Sequence, residues 1–336
     1  MRNQTQTQTQ TTGSPLPKNS RRHRTPDTPP APIVPQSHST VRDRAMLVNL
    51  TVHQWLAKAT DEAITAEVGQ AHGIADGSGS YLKVLMPKSA MEKMKAAAGK
   101  LRSTHNKYTL PWDEWGTRIL KASRFLDYNA EITKLIAEYE TEFRDAFEAY
   151  GASGKTVYEE RQQEAKLSLG TAWRAEDYPS LSVLKRKFGA KIRVMKVPDG
   201  EDFRIDMGAE VTAQVAADVT AQLRAEIESN RDERLEQAMT GLWELLSSLV
   251  SKLAEAVKGT KTSAIRSTLI KSINTLLDRL PDLNVTEDPN LEAMATEIRA
   301  AFSSLDAKGL RDSEAARADV GQKAEDILSR MQSFLS

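Results

Sequence analysis

Residues 235–253 read LEQAMTGLWELLSSLVSKL. Within them Leu235, Met239, Leu242, Leu246, Leu249 and Leu253 step by 4, 3, 4, 3 and 4 residues, the spacing of a heptad seam on one side of a helix. The helical pattern extends well upstream. Val211, Val215, Val219, Leu223 and Ile227 step by fours, so the apolar stripe drifts around the helix there. From 209 to 257 there is no proline and a single glycine, Gly241, and Gly259 ends the pattern. The spacing predicts one very long helix over 209–257.

A second long helical pattern is predicted over 115–169. Thr109-Leu110-Pro111-Trp112-Asp113-Glu114-Trp115 reads as its start, with Pro111 suited to a first turn and two acids beside the positive helix end. Tyr128, Ile132, Leu135, Tyr139, Phe143, Ala146 and Tyr150 then recur at three- and four-residue spacing. Gly151 and Gly154 mark a break, after which the pattern resumes through Val157, Ala165 and Leu169. Helices of this length build scaffolds or interaction surfaces.

Between and around them the chain is more varied. Residues 46–52, MLVNLTV, have the apolar density and β-branching of a strand. A helix is predicted next, through Trp55, Leu56, Ala59, Ile64 and Val68, then a loop over 73–80. A helix after Pro87 places Met91, Met94, Ala98 and Leu101 on one face. Asp177-Tyr178-Pro179-Ser180 opens a short helix ending at Phe188-Gly189. Residues 192–197 and 202–206 alternate like half-buried strands on either side of a Pro198-Asp199-Gly200 turn. Three shorter helices are predicted near 263–280, 290–303 and 313–335, with Pro281 and Pro289 between the first two. The expected fold is mainly α: a long antiparallel helical hairpin or coiled coil with a small β element. The expected organisation is a basic, proline-rich disordered tail over 1–40, a helical region with the β element over 41–207, and the long helix with C-terminal helical segments packing on it over 208–336.

Composition narrows the function. The chain has 336 residues, 46 of them basic and 46 acidic, and no cysteine. Zero net charge argues against a surface built wholly for phosphate. Without cysteine there are no disulfides and no thiolate zinc sites, and a reducing compartment is expected. No apolar run reaches the roughly 18 residues of a membrane span, and the polar N-terminus lacks the apolar core of a signal peptide. The expected location is the cytoplasm. No metal or cofactor is expected, and no membrane association.

Several short motifs invite chemistry. Gly151-Ala152-Ser153-Gly154-Lys155-Thr156 imitates a phosphate-binding loop, but Ala149 stands where the leading glycine belongs, and a helix precedes it instead of a strand. Asp282, Asn284 and Thr286 imitate the start of a calcium loop, but Glu287 replaces its glycine and Ala293 its final glutamate. Residues 73–79 are glycine-rich without a strand–turn–helix setting. His53, His72 and His105 lack metal-ligand spacing. The chain is therefore expected not to be an enzyme; a hydrolase built on His72 or His105 is the outlying alternative.

The most basic ordered stretch is 81–107. Lys83, Lys88, Lys93, Lys95, Lys100, Arg102 and Lys107 are its seven lysines and arginines, and Glu92 is its one acid. Trp55, Trp112, Trp115 and Trp173 all precede the second long helical pattern, as core residues or as a stacking platform beside those lysines. This stretch is the candidate nucleic-acid surface. Arg21, Arg22 and Arg24 in the tail are candidate auxiliary contacts.

Leu47-Val48-Asn49-Leu50, Thr109-Leu110-Pro111-Trp112, Asp177-Tyr178-Pro179-Ser180, Val197-Pro198-Asp199, Asp202-Phe203-Arg204-Ile205-Asp206 and Leu283-Asn284-Val285-Thr286 together resemble a family of uncharacterised proteins from tailed phages and proteobacteria, domain of unknown function 3150. These are turn and helix-start signatures, so the resemblance implies a shared fold and no particular chemistry. It also implies a phage or prophage origin and association with a MoxR-like AAA+ ATPase and a von Willebrand A-type protein. The leading expectation is a non-enzymatic accessory or adaptor protein that binds a protein partner through its long helices. The alternative is a nucleic-acid-binding protein of phage replication or recombination. A heptad seam serves an intramolecular hairpin or an oligomer equally, so both stay open.

Overall fold

The computed structural model describes residues 39–203, 213–259 and 262–335. In chain order the elements are α1 Ser39–Arg44, β1 Ala45–His53, β2 Lys58–Thr60, α2 Glu62–His72, β3 Leu82–Val84, α3 Lys88–Tyr108, β4 Thr109–Pro111, β5 Thr117–Lys121 and α4 Phe125–Phe143. They continue with α5 Val157–Leu169, α6 Leu181–Lys187, β6 Gly189–Met195, α7 Ala213–Lys258, α8 Ser267–Leu283, α9 Pro289–Phe302, α10 Ala307–Asp312 and α11 Glu314–Leu335. The fold is mainly α with a minor β component.

That component is an antiparallel sheet in the order β4-β5-β1-β6, with β2 and β3 as a separate two-stranded pair. β1 lies in the middle, pairing Leu47 with Ile119 of β5 and with Met195 of β6. Successive side chains on a strand point to opposite faces. Ala45, Leu47, Leu110 and Ile119 therefore enter one core, and Val48 and Leu120 the other. Both faces of the sheet are covered, which is why residues 46–48 are uninterrupted apolar sequence and do not alternate. α3 and α4 cover one face: Met91, Met94, Ala98 and Leu101 pack with Tyr128, Ile132 and Tyr139. The carboxyl half of α7 with α8, α9, α10 and α11 covers the other.

The seam of α7 packs within the chain. Trp243 stacks on Phe334 of α11 with ring centroids 4.9 Å apart, and Lys258 pairs with Glu325. As α7 runs forward α11 runs back, so the two are antiparallel. Leu242, Leu246 and Leu253 are buried in this core.

Three segments depart from the sequence pattern. Residues 109–115 do not start a helix. α3 runs on through Tyr108, and Thr109–Pro111 becomes the edge strand β4, where the missing N–H of Pro111 costs no ladder bond. Asp113 serves a turn instead, accepting the N–H groups of Trp115 and Thr117, and Gly116 follows at φ 87°. The first long helix thus begins at Phe125. It widens to a π-helical turn at Arg144–Glu148 and breaks before α5, so Tyr150 lies exposed off the end of the stripe. The helix expected through Trp55 and Leu56 starts only at Glu62, capped by Asp61, whose carboxylate accepts the Ile64 N–H. Asp202 and Phe203 lie in and after a 3₁₀ turn, not a strand; the rest of the predicted strand, 204–206, lies outside the described residues, as do 209–212 of the predicted long helix. Among the described residues no helix is long and apolar enough to cross a membrane.

Candidate functional site

Of the seven basic residues assigned to a nucleic-acid surface, six lie on the exposed side of α3: Lys88, Lys93, Lys95, Lys100, Arg102 and Lys107. Lys83 does not belong with them. It is only 1% exposed, and its ammonium lies 2.7 Å from Asp177, 3.0 Å from Asp61 and 3.0 Å from the Ala172 carbonyl. Burial pulls its pKa down, but hydrogen bonds to Asp177 and Asp61 outweigh that and hold it above the ordinary lysine value. Asp61 is held below the usual carboxylate range, first by the Ile64 N–H and then by Lys83. A buried cation with matched acceptors is a structural pin, because removing either partner leaves the other charge stranded. The tail residues Arg21, Arg22 and Arg24 lie outside the described residues.

The pin inverts the β2–β3 pair. With Lys83 turned inward, Leu82 and Val84 face outward at 50% and 56% exposure. Leu56, Val68, Ile74 and Tyr81, on the same stretch of chain, are also exposed, and α2 buries no residue. The sequence reading missed this apolar surface. Its only signal was the Leu82-Lys83-Val84 alternation, and that pattern does not say which side is inside.

The four N-terminal tryptophans do not form a platform on α3. Trp112 is buried with the α7 core. Trp55 packs edge-on to Tyr158, and Trp173 stacks on Tyr178 beneath Lys166. Trp115, 73% exposed, sits in the β4–β5 turn.

The other motifs have local structural uses. Thr156 caps α5 in a reciprocal capping box with Glu159. Glu160 lies against Gly151 and accepts from the Ser153 hydroxyl. Two carboxylates thus occupy the loop that would have to cradle a phosphate. Asn284, fully buried, plugs the turn into α9: its side chain accepts the Asp288 N–H and donates to the Asp288 carbonyl. Asp282 pairs instead with Arg124 at 3.0 Å. Gly73 ends α2 in the left-handed region at φ 64°.

His105 is buried, and its Nδ1 shares a 2.8 Å hydrogen bond with the Tyr128 hydroxyl. Burial, with Arg118 adding to it, brings its pKa down to about 4, so the ring is neutral at pH 7. Burial likewise raises the Tyr128 hydroxyl pKa. His105 is thus walled into the α3–α4 core, and His53 and His72 are exposed. Among the described residues no group of three or more His, Asp or Glu side chains is arranged to hold a metal ion.

The remaining surface of note is the amino half of α7. From 213 to 230 no residue is buried. Val215 and Val219 are 52% and 36% exposed, while Leu223 and Ile227 are partly covered. The 3₁₀ turn Gly200–Asp202 reaches this half near its middle, and there Arg224 donates to the Phe203 carbonyl. No protein-family model, curated protein or solved structure matches this chain.

Proposed function

We propose that this chain is a non-enzymatic accessory protein that docks a protein partner along the amino half of α7. The observation that carries the reading is an 18-residue stretch of helix, 213–230, with no buried residue and an apolar stripe through Val215, Val219, Leu223 and Ile227. Most helical stability in a protein comes from a packed face, and this stretch has none. It is held here by continuity with the packed half of the same helix. An apolar stripe at helical spacing is the feature that helix-in-groove recognition uses. The resemblance to the phage and proteobacterial family makes a MoxR-like AAA+ ATPase the favoured partner, with a von Willebrand A-type protein in the same assembly, a phage or prophage source and a cytoplasmic location.

The test is capture of partners by the tagged full-length chain from a bacterial lysate treated with nuclease, read by mass spectrometry. The parent chain is expected to retain an AAA+ ATPase, and Val215→Asp/Val219→Asp to lose it with an unchanged unfolding midpoint. Equal capture by parent and double variant would overturn the assignment to α7.

A further inference from the structure

We propose that α3 seats in the major groove of duplex DNA, independently of the α7 surface. On a helix with about 3.6 residues per turn, Lys88, Lys95 and Arg102 form one row and Lys93, Lys100 and Lys107 another. Members of a row are seven residues apart, about 10.5 Å along the axis, and the rows are separated by about 140° around it. The buried face, through Met94, Ala98 and Leu101, lies between them on the protein side. All six basic side chains are exposed. Lys88 has Glu92 at 3.8 Å and Lys107 has Glu131 at 3.3 Å. Lys93, Lys95, Lys100 and Arg102 have no ion-pair partner among the described residues.

Between the rows, the outermost line of the helix is small: Ala96, Gly99 and Ser103, with Glu92 and Asn106 at its ends, all exposed. Gly99 leaves the middle of this line without a side chain. Glycine is the poorest helix former after proline, and packing does not require it here, because a Cβ at this position would meet nothing within 4 Å.

A helix with a low ridge, neutral from Ala96 to Asn106 and acidic only at Glu92, and a basic row on either flank matches a major groove about 12 Å wide, whose floor is base edges and whose two walls are phosphate strands. Single-stranded nucleic acid is disfavoured because the ridge carries no aromatic ring on which a base could stack. Duplex RNA is disfavoured because its major groove is too deep and narrow for a helix.

The test is fluorescence anisotropy of a labelled 24-base-pair DNA duplex with the full-length chain over a range of salt. Binding is expected to weaken linearly in log–log form as salt rises. Lys93→Ala/Lys100→Ala and Lys95→Ala/Arg102→Ala should each lower the steepness of that line by about 2, as two lost phosphate contacts require. The basic tail is present in every variant, so the differences belong to α3. Gly99→Glu should weaken binding at least about tenfold, as expected from a carboxylate placed on the groove floor against paired phosphates, while Gly99→Ala, a better helix former, should bind like the parent. The proposal is overturned if the parent does not bind the duplex, if both double variants keep its salt slope, or if single-stranded DNA or duplex RNA binds as tightly. None of these substitutions touches α7, so partner capture should survive all of them.

Discussion

The two halves of α7 share one unbroken backbone and differ in almost everything else. From 231 onward the helix buries Leu235, Met239, Leu242, Trp243, Leu246, Val250 and Leu253, and its seam alternates threes and fours. From 213 to 230 it buries nothing, and its apolar residues step by fours. A seam that averages 3.5 residues stays on one side of a helix, whereas a step of four slips steadily around it. The carboxyl half can therefore lie flat on α8 and α11 along its whole length. The amino half cannot continue that contact, and what meets it near its middle is the 3₁₀ turn Gly200–Asp202. The difference shows that hydrophobic content alone does not put a helix in a core; the period has to match a partner.

The sharpest way to break this comparison is truncation on each side. Leu246→Ala should cost about 3–4 kcal/mol of stability, as a cavity in a packed core does. Val219→Ala should stay within about 0.5 kcal/mol. Equilibrium urea unfolding measures both, and similar losses would mean that the amino half is packed after all.

Acid carries the comparison across the sheet, because the α3–α4 core holds the buried neutral His105. Its folded pKa, about 4, lies below the ordinary 6.5. Between those values the unfolded chain binds more protons, so stability from this group is fully present above pH 6.5 and lost as pH falls toward 4. The loss should be about 3 kcal/mol at pH 4. The same urea midpoints taken from pH 7 to pH 4 test this, and His105→Gln should flatten that part of the profile.

A smaller effect sharpens the packed half itself. Gly241 is exposed within α7, with open space where a Cβ would sit. Gly241→Ala should stabilise the protein by about 0.5–1 kcal/mol in the same assay. Finally, hydrogen exchange followed by mass spectrometry should show the amides of 213–223 exchanging at least about a hundredfold faster than those of 242–254 in the isolated chain. Uniform protection along α7 would contradict the division.

Much of the helical part was legible because the signal is local. Leu235 to Leu253, Tyr128 to Phe143 and Met91 to Leu101 each carry their own period, and each faces a core as that period requires. β1 was legible for the same reason. The β4–β5 turn was not. Thr109, Pro111 and Asp113 are common to helix starts and to hairpin turns, and what separates the readings is pairing with Arg118-Ile119-Leu120, on a strand that itself pairs with β1. Lys83 shows the same limit in a charged residue. It reads as surface until Asp61 and Asp177, from distant segments, turn it inward. The basic face of α3 was visible as composition; its division into two rows around Gly99 needed the helix boundaries.

The two-faced sheet also sets an order of events during synthesis. A ribosome that has released residues through 203 has supplied every strand of the four-stranded sheet and both helices that cover its first face. It has supplied none of the helices that cover Ala45, Leu47, Leu110 and Ile119 on the second face. Until α7 to α11 follow, the nascent chain presents a bare apolar plate to the cell. Chains halted there are the ones expected to aggregate or to occupy chaperones.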